Sequence, residues 1–352
     1  MADIVPRLCI TMGCPAGIGP EILVKALAKG VGYRYRSHIV VIGDAGILES
    51  TARSLGLSLP IKVVSSLQDT MVEDIGHIHI LSVTSLKFQG KSTNFSLGRP
   101  NAITGKASYA YIKKALELCD TGDFAGIVTC PISKIGLQMA GIAAPGHTEI
   151  LAEHTRSKRF AMMLAGASLR VVLVTIHCAL RNVASQISQK NVLEIISLTH
   201  EALQRDFGID LPRIAVAALN PHAGESGMFG DEEERILKPA IAEAVRQGIQ
   251  SMGPYPPDTV FYRAVQGEFH AVVCQYHDQG LIPFKLLHFK DGVNVTLGLP
   301  IVRTSVDHGT AYDIAGRGIA DESSLNAAIE IAFTMAINRR KRREQEKIYE
   351  RG

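Results

Sequence analysis

Three apolar runs in the sequence end in histidine: VVLVTI runs into His177, IAVAALNP into His222, and AVVCQY into His277 followed by Asp278. Neutral imidazole binds divalent metals well, and three of them leave a coordination position open for substrate. If these runs are strands of an open α/β sheet, all three histidines stand at carboxyl ends, where such sheets take ligands. They lie 45 and 55 positions apart, and no local HExxH pair marks a zinc site. One histidine in such a place is more often a satisfied core or surface residue; three in the same topological place favour a metal centre.

A second group carries charge suited to anions. Gly126–Thr129 runs into Cys130-Pro131-Ile132-Ser133-Lys134, a nearby loop reads Pro145-Gly146-His147-Thr148-Glu149, and Lys285, Asn294 and Arg303 follow His277. Lysine and arginine hold phosphate or carboxylate, with asparagine as a neutral orienting donor. Singly, either cation is as often a solvated surface charge. Here Gly280, Pro283, Gly292, Gly298 and Pro300 punctuate the stretch, and close turns of that kind build sites. Gly224, Gly227 and Gly230 surround His222 in NPHAGESGMFGDEE, as either a loop that approaches a ligand or a turn with none.

Two phosphate motifs fail. After Gly17 and Gly19 the third glycine of G-x-G-x-x-G falls at Ile22, so the dinucleotide fingerprint is absent. Six residues separate Gly98 from Gly105-Lys106-Ala107 where a Walker loop has four, and Ala107 replaces its Ser/Thr, which argues against a P-loop enzyme.

The elements that must position these groups alternate. Short β-branched runs occur at Leu8–Met12, Ile39–Ile42, Ile61–Val64, Ile78–Leu81, Gly126–Thr129, Val171–Ile176, Ile214–Leu219 and Ala271–Gln275. Helical patterns lie between many of them, at Ser108–Cys119, Val192–Leu203 and Glu233–Ile249, the last with Asp231 as N-cap. Strand–helix alternation predicts an α/β fold with a substantial parallel sheet. At 352 residues and 46% hydrophobic, the chain is a globular protein of about two domains. Its net charge of +3 resides in the stretch from Arg339 to Arg351, which holds seven Lys/Arg and three Glu; the rest is near neutral. No aromatic residues interleave among Arg339–Arg343 to stack bases, so these cations read as a helix C-terminus, and nucleic acid is not an expected partner. Six scattered cysteines without a C-x-x-C pair, no apolar leader and no apolar run of about 18 residues predict a reducing, cytoplasmic setting without a membrane span.

Taken together, TMGCPAGIGPE (Thr11–Glu21), PGHTE (Pro145–Glu149), NPHAGESGMFGDEE (Asn220–Glu233), YHDQGLIPFK (Tyr276–Lys285) and GVNVTLGLPIVRTSVDHGTAYDIAGRG (Gly292–Gly318) resemble the 4-hydroxythreonine-4-phosphate dehydrogenase family. The resemblance spans nearly the whole chain before the basic tail. It implies a two-domain fold like isocitrate and isopropylmalate dehydrogenases, with mostly parallel sheets and an interdomain active-site cleft. The expected first domain is 1–130 plus 275–352, and the second, 131–274, carries dimer contacts. The activity implied is metal-dependent, NAD- or NADP-linked oxidation of 4-phosphooxy-L-threonine at C3. Decarboxylation to 3-amino-2-oxopropyl phosphate follows, in pyridoxal phosphate biosynthesis. The alternative is oxidative decarboxylation of 4-phospho-D-threonate or 4-phospho-D-erythronate in sugar-acid catabolism, a branch that PPDTVF (Pro256–Phe261) and KLLHFKDGVN (Lys285–Asn294) resemble; a dihydrodiol dehydrogenase branch is more distant. The family's metal ligands fall on His177, His222 and His277, binding one zinc, cobalt or magnesium ion in a site shared between the subunits of a homodimer. Its substrate positions fall on His147, Thr148, Lys285, Asn294 and Arg303. Asp278 is a candidate for orienting His277. No residue is assigned to the cofactor or to accepting the hydroxyl proton. Cys14 stands where the family usually has Asp, and Cys130 where it commonly has Gly or Ala; loss of a structural hydrogen bond is favoured over a changed cofactor contact.

Overall fold

The computed structural model describes residues 5–65, 74, 76–87, 95–144 and 146–349, so Pro145 of PGHTE and residues 350–352 of the basic tail lie outside the described residues. The strands in chain order are β1 (Leu8–Thr11), β2 (Ile39–Gly43), β3 (Ile61–Val64), β4 (Ile78–Ser82), β5 (Gly126–Thr129), β6 (Ala161–Ala165), β7 (Arg170–Leu173), β8 (Arg213–Ala217), β9 (Gln250–Tyr255), β10 (Ala271–Cys274), β11 (Val293–Leu297) and β12 (Val302–Val306). All eight apolar runs form strands, within a residue or three of their expected ends, and the α/β class is as expected.

The chain divides into two compact units, 1–157 with 300–337 and 158–299 with 338–352. These crossings differ from the expected ones near 130 and 275, for reasons visible in the packing. The helix Lys134–Met139 lies on the helix Ala102–Asp120, where a Cβ on Gly105 would meet the Gly136 carbonyl, so residues after 130 stay with the first unit. Gly105 of the Walker-like stretch is thus a helix contact, and Lys106 lies inside that helix. Beyond residue 275, the helix His277–Leu287 packs Phe284 into the second unit's core, and β11 pairs with β6.

In the first unit the strand order is β3-β4-β2-β1-β5-β12, with every pair parallel. Strands β1, β2 and β5 are buried at every position, as parallel strands covered on both faces are. In the second unit the order is β11-β6-β7-β10-β8-β9. There β7, β10, β8 and β9 are parallel, while β6 runs antiparallel to both β7 and β11. Its core gathers Leu164, Val171, Leu173, Ala215, Val272 and Phe284.

Three local features differ from expectation or fix the frame. Asp231 stands just before the first helical residue, and its carbonyl accepts from the Arg235 N–H at 2.9 Å, but its carboxylate pairs with the Arg235 side chain at 3.3 Å, and the chain passes through a π-turn at Glu233–Leu237 before the helix Lys238–Arg246. The physical reason is that Glu233 is drawn inward to accept backbone N–H groups, which the wider turn allows. Arg339, first of the tail cations, is buried and donates to the fully buried Asp206 through Nε at 2.6 Å and Nη2 at 3.1 Å. It is a structural ion pair within the second unit, and the helix Ser323–Tyr349 carries the exposed cations beyond it.

His288 is buried after the helix His277–Leu287. Its Nε2 accepts from the Ser168 backbone N–H at 3.3 Å and lies 2.8 Å from Ser168 Oγ, while Nδ1 faces the Asp291 carboxylate at 3.2 Å. The ring lies flat on the β6–β7 turn, where a Cβ on Gly166 would sit 2.3 Å from it. Gly166→Ala should therefore cost about 1–3 kcal/mol by overpacking. Urea unfolding of the variant measures this, and an unchanged midpoint would show that the ring can move aside. No helix among the described residues is long and apolar enough to cross a membrane.

Candidate active site

The expected site residues are divided between the two units. In the first, Arg303 lies in mid-strand on β12, in register with Ile127 of β5, and is only 3% exposed. Its Nη2 donates to Thr129 Oγ1 at the carboxyl end of β5, at 3.1 Å. Burial brings this guanidinium down to about 10, against the opposing pull of Glu149, so it remains a cation at neutral pH. His147 and Thr148 open the helix His147–His154, whose first turn directs backbone N–H groups outward. Burial first, and Arg303 second, hold the His147 imidazole well below its usual pKa. Its Nε2 is buried with no hydrogen-bond partner. A fixed cation beside an orphaned neutral imidazole and a helix N-terminus is an arrangement that an anion would complete.

In the second unit, the rings of His177 and His277 stand 5.9 Å apart between centroids. Zinc–nitrogen bonds of about 2.0–2.1 Å place the rings of two ligands of one ion about 5–6 Å apart, so this pair fits a shared metal. His277 Nδ1 lies 2.7 Å from Asp278 Oδ1, which leaves Nε2 for a ligand. His222 packs instead near Phe229, with centroids 6.1 Å apart, and no group of three His, Cys, Asp or Glu side chains among the described residues is placed to hold a metal. One chain therefore gathers two of the three histidines. Lys285 lies in the last turn of the helix His277–Leu287, with Nζ 5.7 Å from the Phe289 ring centroid, and Asn294 on β11 has a buried Oδ1 without a partner.

Buried amides lace the three histidine loops together. Gln275 donates through Nε2 to the Ala217 carbonyl at 2.8 Å, and Gln279 to the Ala218 carbonyl at 2.7 Å, tying the His277 strand end to the one that leads to His222. Thr175 donates its N–H and hydroxyl to the Gln275 carbonyl, adding the loop of His177. Sequence reasoning placed Gln279 among the polar residues after His277 but missed Gln275 and Thr175; the available signal was a polar residue two positions before His177 and before His277, inside apolar runs.

Also missed was a cavity of about 250 Å³ in the first unit, walled by Ile47, Leu55 and Leu97, by Ser50, Thr51 and Ser54, and by Gly316-Arg317-Gly318. Its rim is fixed by buried Glu21, which accepts from the N–H groups of Gly318 at 3.2 Å and Ala320 at 2.8 Å and pairs with Lys25. Cys14 is buried with Sγ 3.3 Å from Tyr312 Oη, and burial pushes the Cys130 thiol up, so Cys130 is a packed, protonated thiol.

The sequence pattern described as "Pyridoxal phosphate biosynthetic protein PdxA" matches residues 35–332. The chain belongs to the PdxA family. A 4-hydroxythreonine-4-phosphate dehydrogenase of Desulfosudis oleivorans is 52% identical over 332 residues, covering 94% of this chain and 96% of its own. The D-threonate 4-phosphate dehydrogenase of Salmonella typhimurium is 43% identical, covering 94% and 98%. The crystal structure of 4-hydroxythreonine-4-phosphate dehydrogenase from Klebsiella pneumoniae superposes with a TM-score of 0.83 at 39% identity, covering 94% and 99%. The dehydrogenase assignment made from the motifs agrees with the names of these PdxA-family relatives.

Proposed function

We propose that this chain oxidises the C3 hydroxyl of 4-phosphooxy-L-threonine with NAD or NADP, and that the resulting 3-oxo acid loses CO2 to give 3-amino-2-oxopropyl phosphate. The observation that carries this reading is the buried Arg303 cation with the orphaned His147 Nε2 beside it, a built site for an anionic group of a small substrate. Arg303, His147 and Thr148 bind and orient the anion; Lys285, as a cation, and Asn294, as an amide acceptor, are assigned to the substrate by the family resemblance. His177, His222 and His277 would hold a divalent ion, zinc or cobalt suiting imidazole better than magnesium. Such an ion, when bound, supplies Lewis-acid stabilisation of negative charge on the substrate oxygens.

Because one chain gathers only His177 and His277, the third imidazole is assigned to a site shared in a homodimer. Ile282, Leu286 and Phe289 support this reading, since they leave an apolar stripe, 68–85% exposed, along and just beyond the helix that begins at His277. The cavity at Ile47, Leu55 and Leu97 is assigned to the adenosine end of the dinucleotide, its apolar walls taking the base and its hydroxyls the ribose.

The second reading is oxidation of 4-phospho-D-threonate or 4-phospho-D-erythronate, favoured by the likeness to the Salmonella enzyme. A substrate hydroxyl can donate to Asn294 Oδ1 as an ammonium does, so this group does not discriminate. The test is reduction of NAD and NADP by the cobalt-loaded protein with each of the three phosphorylated acids. Turnover of the amino acid alone is the expected result; turnover of a sugar acid alone would replace it with the second reading, and turnover of none would overturn both.

A further inference from the structure

His222 sits in an improbable piece of backbone. From His222 to Ser226 five consecutive residues have positive φ, at 53°, 55°, 80°, 44° and 56°, and only Gly224 among them is a glycine. For an L-residue this left-handed conformation is disfavoured, because Cβ comes too close to the following carbonyl oxygen. Four such residues among five do not hold themselves; the surroundings must impose the turn. The element in place to do so is Glu233, which is 1% exposed and sits at the head of the π-turn. Its Oε1 accepts from the backbone N–H groups of Leu219 at 2.9 Å and Asn220 at 2.8 Å, the last residues before the turn. Its Oε2 accepts from Asn220 Nδ2 at 3.0 Å. The same Oε2 is the floor of the turn, since a Cβ on Gly224 would come within 2.8 Å of it. One carboxylate therefore fixes both where the turn begins and how closely its centre can approach the protein body.

We propose that Glu233 is a positioning residue for His222, holding the left-handed turn that presents this imidazole to a divalent metal. The inference rests on the metal-site reading above. It predicts a specific rescue: glycine adopts the left-handed region without the Cβ penalty, so Ala223→Gly should restore part of what loss of the carboxylate takes away.

The test is cobalt(II) affinity, measured by competition with a chromophoric chelator, in the wild-type protein and in the variants E233Q, H222A, H177A and E233Q/A223G, with melting temperatures alongside. The expected result for E233Q is about 10–100-fold weaker binding, as for loss of groups that orient metal ligands, with partial recovery in E233Q/A223G. If E233Q melts lower but binds cobalt as wild type does while H222A does not, Glu233 is merely structural and the proposal is overturned. A loss that A223G leaves untouched overturns it too, because the effect then does not pass through the turn. Should E233Q fail to fold, N220A decides beside E232A: Asn220 Nδ2 donates to Glu232 Oε2 at 2.8 Å as well as to Glu233 Oε2, and E232A removes the first bond alone; several-fold weaker binding in N220A than in E232A is expected, and equal binding overturns the proposal. Wild-type affinity in both H177A and H222A would sink the metal site itself and this inference with it, an outcome distinct from failure of E233Q alone.

Discussion

Arg303→Met should raise KM for the phosphorylated substrate by about 10²–10³-fold while leaving a folded protein. Truncating one partner of a buried charge pair costs about 2–5 kcal/mol in binding, and each 1.4 kcal/mol is tenfold. The fold survives because methionine fills most of the same volume on β12 and the desolvation cost of the buried guanidinium is removed with it. Thr129 loses one donor at 3.1 Å, a smaller matter at a strand end. Arg303→Lys should recover only part of the affinity, since the ammonium has no planar fork. A rise in KM below threefold for Arg303→Met would remove Arg303 from the substrate site.

The same variant has a signature in pH. Burial, and after it Arg303, depress the His147 pKa in the folded protein, while the unfolded chain titrates near the usual histidine value of about 6.5. The unfolded state therefore binds the proton first. The wild-type protein loses stability as pH falls through about 6.5, and this contribution levels off below the depressed folded value. Without the guanidinium, one of the two causes disappears and the gap narrows, so in Arg303→Met the loss should level off at a higher pH and be smaller in total than in wild type. Urea unfolding at successively lower pH shows it; levelling at the same pH would mean the guanidinium has no influence on His147.

What the sequence made legible follows from where the apolar signal is strong. Strands β1, β2, β5 and β10 are short, fully buried β-branched runs, and the ends of β10, β7 and β8 pointed directly to His277 and to the loops of His177 and His222. Four strands escaped notice. AMMLA of β6 has no β-branched residue, QSMGPY of β9 contains Gly and Pro, and β11 and β12, VNVTL and VRTSV, carry polar residues inside the core. Asn294 and Arg303 consequently looked like loop residues between glycines, although both lie in strands. That placement matters chemically, because a strand fixes the guanidinium where a loop would let it reach water. The left-handed turn and the π-turn were illegible for another reason: both are imposed by the inward-turned Glu233, a contact over a dozen residues that no local propensity encodes.

His277→Ala should abolish tight cobalt binding and lower kcat on the order of 10³-fold, since the several kcal/mol of charge stabilisation that a bound ion provides would be lost. The finer question is what Asp278 does. Its side chain is 71% exposed, and an exposed ion pair with a histidine would by itself be worth little. Its 2.7 Å contact, however, is to Nδ1 of a ring whose neighbour at 5.9 Å is His177, and a carboxylate there fixes the tautomer that keeps the Nε2 lone pair turned outward. Asp278→Asn preserves shape and can still accept a hydrogen bond from Nδ1, but it removes the charge that makes the imidazole a stronger donor to metal. Cobalt affinity in Asp278→Asn should therefore fall about 10–100-fold with the melting temperature of the metal-free protein unchanged. Unchanged affinity would reduce the contact to a surface ion pair, and would leave the orientation of His277 to the Gln275 and Gln279 amides that lock the strand end beneath it.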